Sequence, residues 1–123
     1  MLFLIFLIAP PGNLRHSLAV LLTSLGADQQ IEQFDIIHAA FAQQAAKPPD
    51  LIMCDLVALD DAVTGELAAL RSRWPQAHLV VMSDAEEASV RLAGSAIVVN
   101  TGAAATRLRA ILSDLLCDGR KNV

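Results

Sequence analysis

Apolar residues along the chain fall into short unbroken runs, separated by stretches in which they recur at helical spacing. Leu2 to Ile8, Leu51 to Cys54 and His78 to Met82 are the clearest runs, and Ala96 to Val99 is a shorter one. A strand with one solvated face alternates polar and apolar residues. These runs do not alternate, so they are expected to be buried on both faces, as in the middle of a parallel sheet covered by crossover helices. Ile31 to Phe34 is more polar and alternating, which suits the edge of a sheet.

Between the runs the period changes. After a loop of Pro10, Pro11, Gly12 and Asn13, with Asn13 expected as N-cap, Leu14, Leu18, Leu21, Leu22 and Leu25 recur at helical spacing, and Gly26 stops them. Asp35 is expected to cap a second helix with Ile37, Ala40, Phe41 and Ala45 on its inner face, and Lys47-Pro48-Pro49 ends it. A third helix carries Leu67, Leu70 and Trp74 and is closed by Pro75, with Trp74 as a lid on the bottom of the core. Ala85 to Leu92 allows about two turns before Gly94. Leu108, Ile111, Leu112, Leu115 and Leu116 line a final helix.

Five strands alternating with five helices predict an α/β three-layer sandwich. Right-handed crossovers make it a doubly wound five-stranded parallel sheet in the flavodoxin-like order 2-1-3-4-5. The expected domain covers residues 1–117, with a polar C-terminal tail over 118–123. In such sheets the chemistry sits beyond the carboxyl ends of the strands, at the switch point between the first and third. Asp55 stands at the end of the third strand and there shares a crevice with the Pro10–Asn13 loop. A charge in that position requires solvation or a partner, and a strand-end Asp that merely caps a loop is the plain alternative.

Composition narrows the function. A net charge of −4 with scattered basic residues argues against a nucleic-acid surface. The hydrophobic share of 54% exceeds what a core requires and suggests a homodimer interface. The apolar N-terminal run is too short to span a bilayer and lacks the basic flank of a signal peptide, so no membrane association is expected. Cys54, inside an apolar run, reads as a reduced core residue and suits the cytoplasm, and Cys117 is not spaced with it for a metal.

Pro49-Asp50-Leu51-Ile52-Met53-Cys54-Asp55-Leu56 and Leu79-Val80-Val81-Met82-Ser83, in the third and fourth units, resemble the corresponding strands of response-regulator receiver domains. The resemblance extends over essentially the whole chain and implies a phospho-acceptor position at Asp55 and a switch position at Ser83. It also implies a role in two-component phosphorelay signalling, with a histidine kinase or another signalling protein as partner. The rest of the family's site is altered. The acidic pair that follows the first strand and holds magnesium is replaced by Ala9 and Pro10, and the family lysine after the fifth strand by Asn100. Magnesium takes hard oxygen ligands, which Ala and Pro side chains lack, so magnesium binding is not expected. An amide at Asn100 donates a hydrogen bond but cannot neutralise a phosphoryl group. Phosphoryl transfer depends on positioning and cationic neutralisation, so the expectation is a degenerate, non-enzymatic receiver that works by protein contact.

Two alternatives remain open on the sequence: a working phospho-acceptor at Asp55, and a flavodoxin-like binder of a small ligand in a crevice of Ala9, Pro10, Asp55, Ser83 and Asn100. Asp60, Asp61, Asp84, Glu86 and Glu87 read as helix-start carboxylates rather than metal ligands. The short segment between Ser83 and Asn100 alters the face used for output in the family, where Ala88, Val90, Leu92, Ala103, Ala104 and Leu108 are expected. His16, His38 and His78 lie in different units without metal spacing. No nucleophile elbow supports a Ser83–His78–Asp55 triad, and the Pro10–Asn13 loop has no nucleotide-binding glycine pattern.

Overall fold

The computed structural model describes residues 3–24, 29–42, 48–55, 61–83, 97–99, 109–111 and 114. Asp60, Asp84, Asn100, Cys117, the expected helix over 85–92, the expected output-face residues and the tail lie outside them. The described elements are β1 (Phe3–Ile8), α1 (Asn13–Ser24), β2 (Gln29–Phe34), α2 (Ile37–Phe41), β3 (Leu51–Asp55), α3 (Asp61–Arg73), β4 (His78–Met82) and β5 (Ile97–Val99). All paired strands run parallel, in the order β2-β1-β3-β4-β5. The doubly wound sheet expected from the alternating units is therefore observed.

Alternation along the unbroken runs divides the core between the two faces of the sheet. Leu4, Phe6 and Ile8 of β1, Ile52 and Cys54 of β3, and Leu79 and Val81 of β4 meet Ile37 and Ala40 of α2 and Leu67 and Leu70 of α3. The intervening residues Ile5, Leu7, Leu51, Met53, Val80 and Met82 meet Leu18 and Leu22 of α1, with Ile111 against the same cluster. Each such side chain contributes about 1.5–3 kcal/mol on burial, so the sheet is held by its centre. β2 lies at an edge with only partial burial and Gln30 and Gln33 exposed, as its polarity suggested.

Aromatic packing closes the lower end of one face. Trp74 meets Phe6 edge-on at 5.4 Å and stacks on Phe41 at 5.9 Å, while Phe6 meets Phe34 at 5.0 Å. Arg73 lies 5.6 Å from the Trp74 ring centre, a cation–π contact. Pro75 then occupies the second position of a turn in which Ala77 N–H donates to Trp74 C=O at 3.1 Å. The lid role expected of Trp74 is what the packing shows.

Three local expectations need correction. Helix α1 begins at Asn13, and the Gly12 carbonyl accepts from His16 N–H at 3.1 Å, so Gly12 rather than Asn13 is the capping position. Gly12 has φ +153°, which a residue with a Cβ rarely adopts. Asp35 does not cap α2: the N-cap position is Ile36, extended and without a side-chain cap, while Asp35 pairs with Arg15. Strand β2 begins at Gln29, two residues before the expected start, because an edge strand pairs through its backbone whatever its side chains.

Asp50 sets the level of the central strands. Its N–H donates to Leu4 C=O at 2.8 Å and its carbonyl accepts from His78 N–H at 3.0 Å. Its carboxylate accepts from Leu4 N–H, also at 2.8 Å, where β3 has not yet begun and offers no ladder partner. One residue thus ties the starts of β1, β3 and β4. At the other end of β3, burial pushes the Cys54 thiol up from 9.0 to about 12, with the Asp55 charge adding to the rise.

Asp50→Ala leaves the Leu4 amide without its partner and is expected to cost about 1–3 kcal/mol, read as a lower urea midpoint with an unchanged slope. For Cys54, the unfolded thiol ionises above about pH 9 and the folded one only near pH 12. The unfolded state therefore binds fewer protons in that window. Its stabilising effect is fully present below pH 9 and lost up to pH 12, at no more than about 1.4 kcal/mol per pH unit. The urea midpoint of the wild type should fall more steeply with pH there than that of Cys54→Ala, and an equal pH dependence in the two would refute the assignment.

Candidate functional site

The parallel register brings the candidate residues together at the carboxyl ends of the central strands. Ile8 pairs with Cys54, and Asp55 pairs with Met82. The next residues along β1 and β4, Ala9 and Ser83, therefore flank Asp55 on its two sides. Asp55 closes β3 half-buried, directly after the fully buried Cys54. Ser83 is buried, and no buried side-chain oxygen or nitrogen among the described residues lacks a partner. Ala9 is buried and Pro10 exposed, so of the two positions expected to match the family's acidic pair, the first forms part of the wall beside Asp55 and the second its rim.

Chemically, this wall offers a methyl group and a pyrrolidine ring where a cation site needs carboxylates. The main chain of Ala9 is already engaged: its N–H donates to Phe34 C=O at 3.0 Å and its carbonyl receives the Arg15 guanidinium at 3.5 Å. The described residues at this end therefore do not fit a magnesium ion of the family kind. Asn100 lies outside them. Among the described residues there is no group of three His, Cys, Asp or Glu arranged to hold a metal.

The remaining candidates are dispersed. His78 opens β4 and Ser83 follows its end, so these two members of a hypothetical triad stand at opposite ends of one strand. His16 and His38 are exposed on α1 and α2. Cys54 sits in the core as a free thiol.

Arg15 is the residue that reading the sequence missed. It lies in the first turn of α1, largely buried, and bridges the ends of β1 and β2 by bonding Ala9 C=O and pairing with Asp35 at 2.5 Å. The signal was present: in this strand order the starts of α1 and α2 emerge side by side, so a cation and an anion there are neighbours. The capping role that its position suggests for Asp35 obscures that pairing.

No protein-family model matches the chain, and no curated protein matches it. Solved structures do. A LuxR-family DNA-binding response regulator from Silicibacter pomeroyi superposes with a TM-score of 0.77 at 19% identity, covering 94% of this chain and 92% of that one. The response regulator TrrA from Thermotoga maritima, in complex with Mg²⁺–BeF, gives 0.73 at 15% identity over 91% of this chain and 97% of its own. An adenylate cyclase from Rhodopirellula baltica gives 0.68 at 15% over 99% and 96%. At these identities the likeness concerns the fold, and the fold of this chain is that of a response-regulator receiver domain.

Proposed function

We propose that the chain is an atypical receiver domain in two-component signalling that acts by protein–protein contact, without metal-dependent aspartyl phosphorylation and without enzymatic turnover. The observation that carries this reading is the end of β1. Ala9 and Pro10 stand there in place of a carboxylate pair, beside an Asp55 and a Ser83 that keep the family's positions. Loss of the metal ligands and of the lysine at position 100 removes most of the charge neutralisation on which phosphoryl transfer rests. What remains is a scaffold with a polar pair at its crest, suited to setting a loop conformation that a partner reads. The partner is a histidine kinase or another signalling protein, and the apolar surplus of the composition supports a homodimer in the cytoplasm.

A second reading, in which Asp55 still accepts a phosphoryl group, is favoured by its half-buried place at the end of β3 next to the buried Ser83. One experiment separates the two. The protein is incubated with an acyl-phosphate donor and Mg²⁺, and its intact mass is measured. The proposal expects no added phosphoryl group. A phosphoryl adduct that Asp55→Asn abolishes would overturn it in favour of the second reading.

Restoring the lost groups tests the cause. The triple variant Ala9→Asp, Pro10→Asp, Asn100→Lys places a carboxylate at a buried position, where it is costly until a cation compensates it. Mg²⁺ is expected to stabilise this variant by about 2.7 kcal/mol at a hundredfold excess over its Kd, and to leave the wild type unmoved. The variant should also take up phosphate from the acyl donor.

A further inference from the structure

Asp35 stands between two competing uses. By position and chemistry it is a good N-cap for α2, since Asp is among the preferred capping residues. In the structure it pairs instead with Arg15, and α2 starts from an extended Ile36 with φ −140° and ψ 161° and no side-chain cap. At the start of α2, Ala39 N–H donates to Ile36 C=O at 3.2 Å, and no side chain caps the turn. A local preference is thus overridden, and the helix that bears the cost has five residues.

Magnitudes place the two uses close together. An Asp cap shifts a local helix equilibrium by about two- to thirtyfold. An exposed ion pair shifts one by roughly one- to fivefold. The Arg15 side chain is only 21% exposed and also bonds Ala9 C=O, which raises the worth of this pair above that of a fully solvated one. Ile36 is 60% exposed, so the residue that changes conformation carries no core side chain itself.

We propose that Asp35 is a two-position conformational switch: paired with Arg15 it holds the first turn of α1 to the end of β2 and leaves α2 uncapped, and released it caps α2 and turns Ile36 from extended to helical. Arg15 touches Ala9 at the crevice wall, so the switch is coupled to the site through the β1–α1 loop. An anionic group that draws the guanidinium away throws it, and so does salt, which screens the pair. The device does not require phosphorylation of Asp55 and stands apart from the function proposed above.

The test is NMR of the labelled full chain, reading the Ile36 ¹³Cα shift and the exchange rates of the Ile37 and His38 amides, with Trp74 fluorescence reporting the intact fold. Arg15→Gln is expected to move Ile36 toward helical values and to slow the two amides by about two- to fivefold. Asp35→Asn, which loses the charge but keeps a capping oxygen, should do the same. Asp35→Ala, which loses both, should do neither. Raising the salt concentration on the wild type should move Ile36 in the direction of Arg15→Gln, and this arm holds even if a variant fails to fold. The proposal is overturned if Ile36 stays extended in Arg15→Gln, in Asp35→Asn and at high salt, or if Asp35→Ala gives the same response as the other two.

Discussion

Alignment of the three central strands depends on Asp50. In a strand with one wet face, a slip of one residue turns apolar side chains into water, and that penalty fixes the register. β1, β3 and β4 are apolar on both faces, so a slip would exchange one buried set for another and the in-or-out contrast is weak. Detailed packing resists the exchange, and so does a fixed start. Asp50 supplies that start by bonding β1 through both its main chain and its carboxylate and β4 through its carbonyl. Five residues further on, about 17 Å at the usual rise per residue, Asp55 arrives level with Met82 and beside Ala9. The make-up of the crevice is thus decided at the opposite end of the sheet.

What arrives there is a receiver-like fold with Ala9, Asp55 and Ser83 at its carboxyl edge. A phosphoryl-transfer site concentrates negative charge and offsets it with cations. Here the wall beside Asp55 is a buried methyl group, and the nearby guanidinium of Arg15 is engaged with Asp35 and a carbonyl. Arg15, by bonding Ala9 C=O and Asp35, ties the β1–α1 loop to the end of β2. The lower end, by contrast, is held by the Trp74 packing, by Arg71, which donates to Ala77 C=O at 3.0 Å, and by Asp50. The two ends of the sheet thus differ: one is closed by aromatic packing and the other is where Asp55 and Ser83 emerge.

Much of this was legible in the residues. Unbroken apolar runs announced strands covered on both sides, and the two core clusters divide those runs residue by residue. The polar pattern of residues 31–34 placed β2 at an edge, and Trp74 before Pro75 marked the closed end. Asp55 and Ser83 each end an apolar run, and the strand order brings both to the carboxyl edge of the sheet. Less visible were roles that depend on distant neighbours. Asp50 looked like the opening of a strand, and nothing local says that its carboxylate stands in for a missing ladder partner 46 positions away in sequence. Asp35 looked like a cap, and only the juxtaposition of β1 and β2 brings Arg15 within reach.

Those two aspartates illustrate one rule at opposite ends of the sheet. Each sits next to a secondary-structure boundary where its side chain could serve the adjacent backbone, and each serves another element instead. At Asp50 the diversion satisfies a buried amide, for which no second arrangement offers equal value, so it acts as a fixed tie. At Asp35 the bond made is an ion pair whose anion is exposed, and the cap forgone has similar worth, so the balance is shallow. Burial decides which diverted side chain is a rivet and which is a hinge. The shallow one lies at the carboxyl end of the sheet, where folds of this class place their function.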